Sequence, residues 1–132
     1  MESMLNYAAE ILLLLLLIVT FLQSGLDKMF DWSGNISWLK GHFSKTFFKN
    51  MVPLLVAVIL ILEMLAAILC IVGVYQMIVM DNSTYALYGA ILSCIVLLFL
   101  LFGQRVAKDY DGARTIAIYF IPAVFLVFLL QL

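Results

Sequence analysis

Four stretches of this chain, 7–30, 52–80, 84–102 and 112–132, are nearly unbroken runs of apolar side chains, each close to the roughly 20 residues a helix needs to cross a bilayer. Inside hydrocarbon a backbone must satisfy its own hydrogen bonds, so such runs fold as helices. Of the 132 residues, 67% are hydrophobic and 11% charged. That charged share is less than half of the roughly 25% found in soluble domains, so a water-facing globule is excluded. The pattern predicts an all-α fold: a polytopic membrane four-helix bundle with an interfacial segment between the first and second spans. No internal repeat or low-complexity tract interrupts 1–132, which reads as a single domain.

Charge placement orients the bundle. The seven basic residues are Lys28, Lys40, Lys45, Lys49, Arg105, Lys108 and Arg114. All fall in or beside the first and third connections, which lie on the same side of a four-span bundle. The N-terminal flank, the turn at 81–84 and the C-terminal end carry none. Short loops rich in Lys and Arg stay in the cytoplasm, so both termini are expected outside. The first run is not read as a cleaved leader, because Glu2 and Glu10 replace the usual basic flank and no small-residue cleavage site follows Leu22. The net charge of -1 says little about partners, since the asymmetry runs across the membrane.

Element ends follow from local chemistry. Asn50 is read as an N-cap with Pro53 in the opening turn of the second span. Asp81, Asn82, Ser83 and Thr84 form a short polar turn whose hydroxyls can cap the third span, making the second and third spans antiparallel neighbours. Between the first and second spans, Ile36, Leu39, Phe43 and Phe47 recur at helical spacing beside Ser37, Lys40 and Ser44. This is the signature of a segment lying on the leaflet surface. Trp32, Trp38 and Phe48 suit headgroup-level anchoring, and the lysines suit anionic lipids.

Polar residues inside the spans define a candidate site. Glu63 shares a face of the second span with Ala66, Ala67 and Cys70, small side chains that admit a neighbouring helix. Thr20, Gln23, Ser24 and Asp27 form a polar stripe toward the basic end of the first span. At 1.5 Å per residue, Gln23 lies about 9 Å and Glu63 about 16 Å from that surface, so the two stripes can meet. Lys28, Gln104, Arg105, Arg114 and Tyr119 complete a candidate polar pocket opening to the cytoplasm. A carboxylate at mid-bilayer costs about 2.5–3.5 kcal/mol on insertion scales, so it is paired, protonated or beside water. Three roles stay open for Glu63: a structural partner of Lys28, Arg105 or Arg114; a proton or cation site, since desolvation disfavours the charged form; or a polar contact for a quinone-like amphiphile.

Other chemistry is sparse. Cys70 and Cys94 sit at similar depth on neighbouring spans but form no C-x-x-C, and apolar surroundings blunt thiolate reactivity. Cys94 continues a small-residue ladder of Ala86, Gly89, Ala90 and Ser93, which reads as helix packing. His42 is the single histidine, too few for a metal site, and is read as interfacial. The sequons at Asn35 and Asn82 are read as chance matches, one on the cytoplasmic side and one hugging the membrane. No phosphate loop, nucleophile elbow or haem-ligand pair is present, so no catalytic residue is assigned. Without a water-facing basic surface, nucleic acid is not an expected partner.

Three segments, FLQSGLDKMF at 21–30, LEMLAAILCIVG at 62–73 and FGQRVAKDYDGA at 102–113, together resemble the DoxX family of small bacterial membrane proteins. The markers are Gly25 and Lys28 closing the first span, Glu63, and Gly73. The resemblance implies a four-helix bundle in the bacterial cytoplasmic (inner) membrane. It further implies association with respiratory, thiosulfate and quinone oxidoreductase complexes, although many members lack a defined activity. The chain has no redox cysteine motif, so autonomous catalysis is not expected. The expected role is an accessory or assembly subunit of a larger membrane complex, in contact with lipids and other subunits, with quinone as its candidate cofactor. The alternatives are a small-molecule or proton carrier built on Glu63, and a chaperone for a client helix.

Overall fold

A computed structural model describes residues 5–132. Glu2, part of the acidic flank, lies outside the described residues. Among the described residues five helices follow in order: α1 (Ala8–Phe30), α2 (Trp32–His42), α3 (Val52–Val79), α4 (Thr84–Val106) and α5 (Tyr110–Leu130). The four longer ones, of 23, 28, 23 and 21 residues, are long and apolar enough to cross a membrane. At 1.5 Å per residue they run from about 32 to 42 Å, enough for a hydrocarbon core of roughly 30 Å. Their outward faces carry large apolar side chains, among them Leu12, Leu54, Ile61 and Ile121, each at least 65% exposed. In water these would make a continuous apolar surface, whereas in a bilayer they face lipid tails. The chain is a multi-pass membrane protein.

The bundle is built outward from the α3–α4 pair. Ala66, Ala67, Cys70 and Gly73 on α3 meet Ala86, Gly89, Ala90 and Ser93 on α4, and all are buried. Small side chains let the two backbones touch. A Cβ added at Gly73 would lie 2.6 Å from Ala86 Cα, and one at Gly89 would lie 2.9 Å from the Cys70 nitrogen. Lipid tails are as apolar as leucine, so close van der Waals packing of this kind, and not hydrophobic exclusion, holds the pair. α1 packs along α3 and α5 along α4, while α1 and α5 touch only sparsely. The ring of four is therefore loose at one seam.

Local signals set the ends. Asp109 caps α5, its Oδ1 accepting from the Gly112 amide at 2.9 Å. At α4 the side chain that satisfies a terminal amide is Asn82, whose Oδ1 accepts from Thr84 N and Thr84 Oγ1. The expected hydroxyl cap is thus replaced by an Asx-type contact, with Ser83 at the cap position making none. α3 starts one residue later than expected, with Met51 at its cap and Pro53 in the first turn. Asp81 and Lys108 take left-handed φ values of 53° and 61° and turn the chain after α3 and α4. Tyr7, at the start of α1, faces Asp81. The hydrogen bond to that carboxylate, loss of water and its negative charge hold the Tyr7 phenol above the ordinary value of 10.0.

α2 occupies the first part of the interfacial segment between the first and second spans. Ile36, Leu39 and Phe43 pack on Val52 and Val56 of α3. The helix ends at His42, and turns through 43–51 shift the phase. Phe48 turns inward in place of Phe47, which is 67% exposed.

Candidate functional site

Glu63 is 1% exposed, at the level where α1 crosses α3. Lys28, in the last turn of α1, reaches it: Nζ lies 2.8 Å from Glu63 Oε1 and donates to Ser24 Oγ at 2.7 Å. Ser24 and Lys28 are four residues apart, so one helix face presents both. The close Nζ–Oε1 approach is an ion pair by distance, but its angles miss hydrogen-bond alignment, leaving Oε1 without an aligned donor. An incompletely satisfied carboxylate oxygen in a buried setting is costly, and Glu63 also lines a groove.

The groove, about 410 Å³, lies at the loose seam between α1 and α5. Thr20, Gln23, Ser24 and Asp27 form its α1 wall, Ile116 and Tyr119 its α5 wall, and Glu63 part of its floor. The polar stripe and the acid therefore share one concavity with Tyr119. Gln23 and Asp27 are exposed toward it, while Thr20 turns its hydroxyl back to the Leu16 carbonyl at 2.7 Å. The donors on its walls are the Gln23 amide and the Tyr119 hydroxyl and the acceptors the Asp27 and Glu63 carboxylates, while Lys28, outside the lining, reaches Glu63 with its ammonium.

Arg105 and Arg114 lie elsewhere. Arg105 sits over the Tyr110 ring, 5.0 Å from its centroid, and Arg114 pairs with Asp111 at 2.9 Å on the exposed surface. Neither lines the groove, which corrects their placement in the pocket. On α5 the physical reason is angular: at 3.6 residues per turn, Arg114 is rotated about 140° from Tyr119.

Gln104 belongs to a separate constellation with His42. His42 Nε2 is 2.9 Å from Gln104 Oε1 and 3.6 Å from Asp109 Oδ2, and its ring stacks on Trp38 at 4.7 Å. The histidine fastens α2 to the α4–α5 turn. The i, i+4 spacing of Trp38 and His42 signalled the stack, but nothing local signalled Gln104. Cys70 and Cys94 are free and buried, and Cys70 Sγ lies 4.0 Å from Ser93 Oγ. Among the described residues no three His, Cys, Asp or Glu side chains converge as a metal site would require.

Comparisons with protein families, with curated proteins and with solved structures find no match to this chain.

Proposed function

We propose that this chain is a DoxX-type accessory subunit of a larger complex in the bacterial cytoplasmic membrane, and that its α1–α5 groove receives the polar head of a quinone-class amphiphile. The observation that supports this is Glu63, buried on the groove floor beside Lys28 with an oxygen lacking an aligned donor. Quinone carbonyls accept hydrogen bonds, for which Gln23 and Tyr119 supply donors. A quinol hydroxyl donates, and Glu63 accepts. The apolar tail would leave through the loose seam into lipid, the usual division between a few oriented polar groups and apolar walls. The basic connections would face the cytoplasm and both termini the outside.

Purification in mild detergent, followed by solvent extraction, measures retained quinone. Wild type is expected to keep menaquinone or ubiquinone through washing, and Glu63→Gln, Gln23→Ala and Tyr119→Phe to lose it. Wild type that neither retains nor rebinds either quinone overturns the ligand. Subunits co-purifying from the native membrane test the accessory role. Impermeant maleimide on intact cells tests orientation: a cysteine at Asn82 should label and one at Lys40 should not.

A second role is favoured by one specific observation. Asp27 lines the same groove as Glu63, so two carboxylates share one concavity, the kind of intramembrane acid grouping that serves protons or small cations. In proteoliposomes carrying a pH-sensitive dye, a flux abolished by Glu63→Gln would support the carrier over the subunit.

A further inference from the structure

Beneath α2 lies a second cavity, of about 600 Å³, separate in its chemistry from the groove. Trp38, Phe43 and Phe48 wall it on one side, and Val56, Phe99 and Phe102 on the other. Its polar groups, Lys28, Asn35 and Gln104, belong to the basic-face ends of α1, α2 and α4. A chamber of this size lies within the range of roughly 300–1,000 Å³ that holds a sizeable apolar ligand.

The charges around it are unbalanced. Lys40, Lys45, Lys49, Arg105 and Lys108 are all exposed, and none lies within 4.0 Å of a carboxylate among the described residues. Glu63 and Asp111 are already engaged by Lys28 and Arg114. That leaves Asp27, Asp31 and Asp109 against five cations on this face. The segment 38–52 carries both features at once: Trp38, Phe43 and Phe48 line the cavity, while Lys40, Lys45 and Lys49 stay exposed.

We infer that the cavity under α2 is a binding site for an anionic phospholipid of the leaflet at the basic face, with one acyl chain in the chamber and the phosphate among the rim cations. Each half of the site selects against a different competitor. A zwitterionic lipid gains the apolar walls but little from the excess positive charge, and a soluble anion gains the charge but nothing from the walls. Only a molecule carrying both an anionic head and a hydrocarbon tail uses the whole surface.

The two tryptophans of the chain make the test direct. With Trp32→Phe, Trp38 on the cavity wall becomes the sole tryptophan, excited selectively over the six tyrosines in a reconstituted bilayer. Phosphatidylglycerol with brominated chains is titrated against phosphatidylcholine brominated in the same way. Phosphatidylglycerol is expected to quench Trp38 at a severalfold lower mole fraction and in a saturable manner. Gly103→Leu should remove that preference by filling the chamber; a Cβ there first meets Phe43 Cζ at 3.7 Å, an ordinary contact. The exposed pair Lys45→Gln and Lys49→Gln should narrow the preference while leaving phosphatidylcholine quenching unchanged, and these positions do not touch the core. Equal quenching by the two lipids overturns the site. So does a preference that survives Gly103→Leu, which would place the lipid on the open surface.

Discussion

Lys28 and Glu63 form a 2.8 Å ion pair across the α1–α3 interface, with only 16% and 1% of their side chains exposed. Removing one member of such a pair strands the other charge. Lys28→Met is therefore expected to cost about 3–5 kcal/mol, whereas Lys28→Met combined with Glu63→Leu should be neutral or stabilising by about 1–4 kcal/mol. Thermal unfolding in detergent, followed by circular dichroism, gives the double-mutant cycle. Losses that simply add would show that the two residues do not act as a pair.

The backbone contact of α3 with α4 gives a second expectation. Gly73→Ala and Gly89→Ala place a methyl group within 2.9 Å of the opposing helix, so each should destabilise by about 1–3 kcal/mol as the helices are forced apart. Gly41 provides the control, since a Cβ there meets nothing within 4 Å. Gly41→Ala should be neutral or stabilising by up to about 1 kcal/mol, through the lower entropy of the unfolded chain.

His42 should be a mechanical tie. His42→Phe can keep the stack on Trp38 but loses the Gln104 bond, a change of about 0.5–1.5 kcal/mol. His42→Ala loses both, adding about 0.5–1.5 kcal/mol for the ring pair. Amide hydrogen exchange through 32–51 is expected to quicken in the order wild type, Phe, Ala. Unchanged exchange in the alanine variant would mean that α2 is held by Ile36, Leu39 and Phe43 alone.

Alkaline pH should loosen the opposite end of the bundle. Tyr7 has its phenol raised by the hydrogen bond to Asp81, by desolvation and by nearby negative charge. Folding thus favours the protonated phenol. The associated stability is fully present below the unfolded value near 10.0 and is lost as pH climbs through the higher folded value. The melting temperature of wild type should fall more steeply across that window than that of Tyr7→Phe. Parallel curves would remove the role assigned to the contact.

The spans were legible because a bilayer leaves few options: run length and apolar content suffice to define α1, α3, α4 and α5. The two small-residue ladders were legible for a related reason, since spacing alone puts Ala66, Ala67 and Cys70 on one face of α3 and Ala86, Gly89 and Ala90 on one face of α4. For Glu63 the sequence narrowed the cation to Lys28, Arg105 or Arg114, and depth alone could not choose among them. Rotation about the helix axis decides, and the spacing of Arg114 from Tyr119 already contained that information for α5. The tie from His42 to Gln104 was not legible, because it spans 62 residues and depends on how α2 folds back onto the bundle. The end of α2 was not legible, because Phe43 and Phe47 keep helical spacing through a segment whose backbone has left the helix.

Lys28 stands in the partition between two compartments. Its side chain lines the chamber under α2, while its ammonium engages Ser24 and Glu63, both of which border the groove. Anything that draws this one ammonium toward the chamber strips Glu63 of its counter-ion, and anything that secures it to Glu63 makes the chamber less inviting to an anion. By thermodynamic reciprocity, an anion that drew the ammonium into the chamber and a groove ligand that needed it at Glu63 would weaken one another by the same factor.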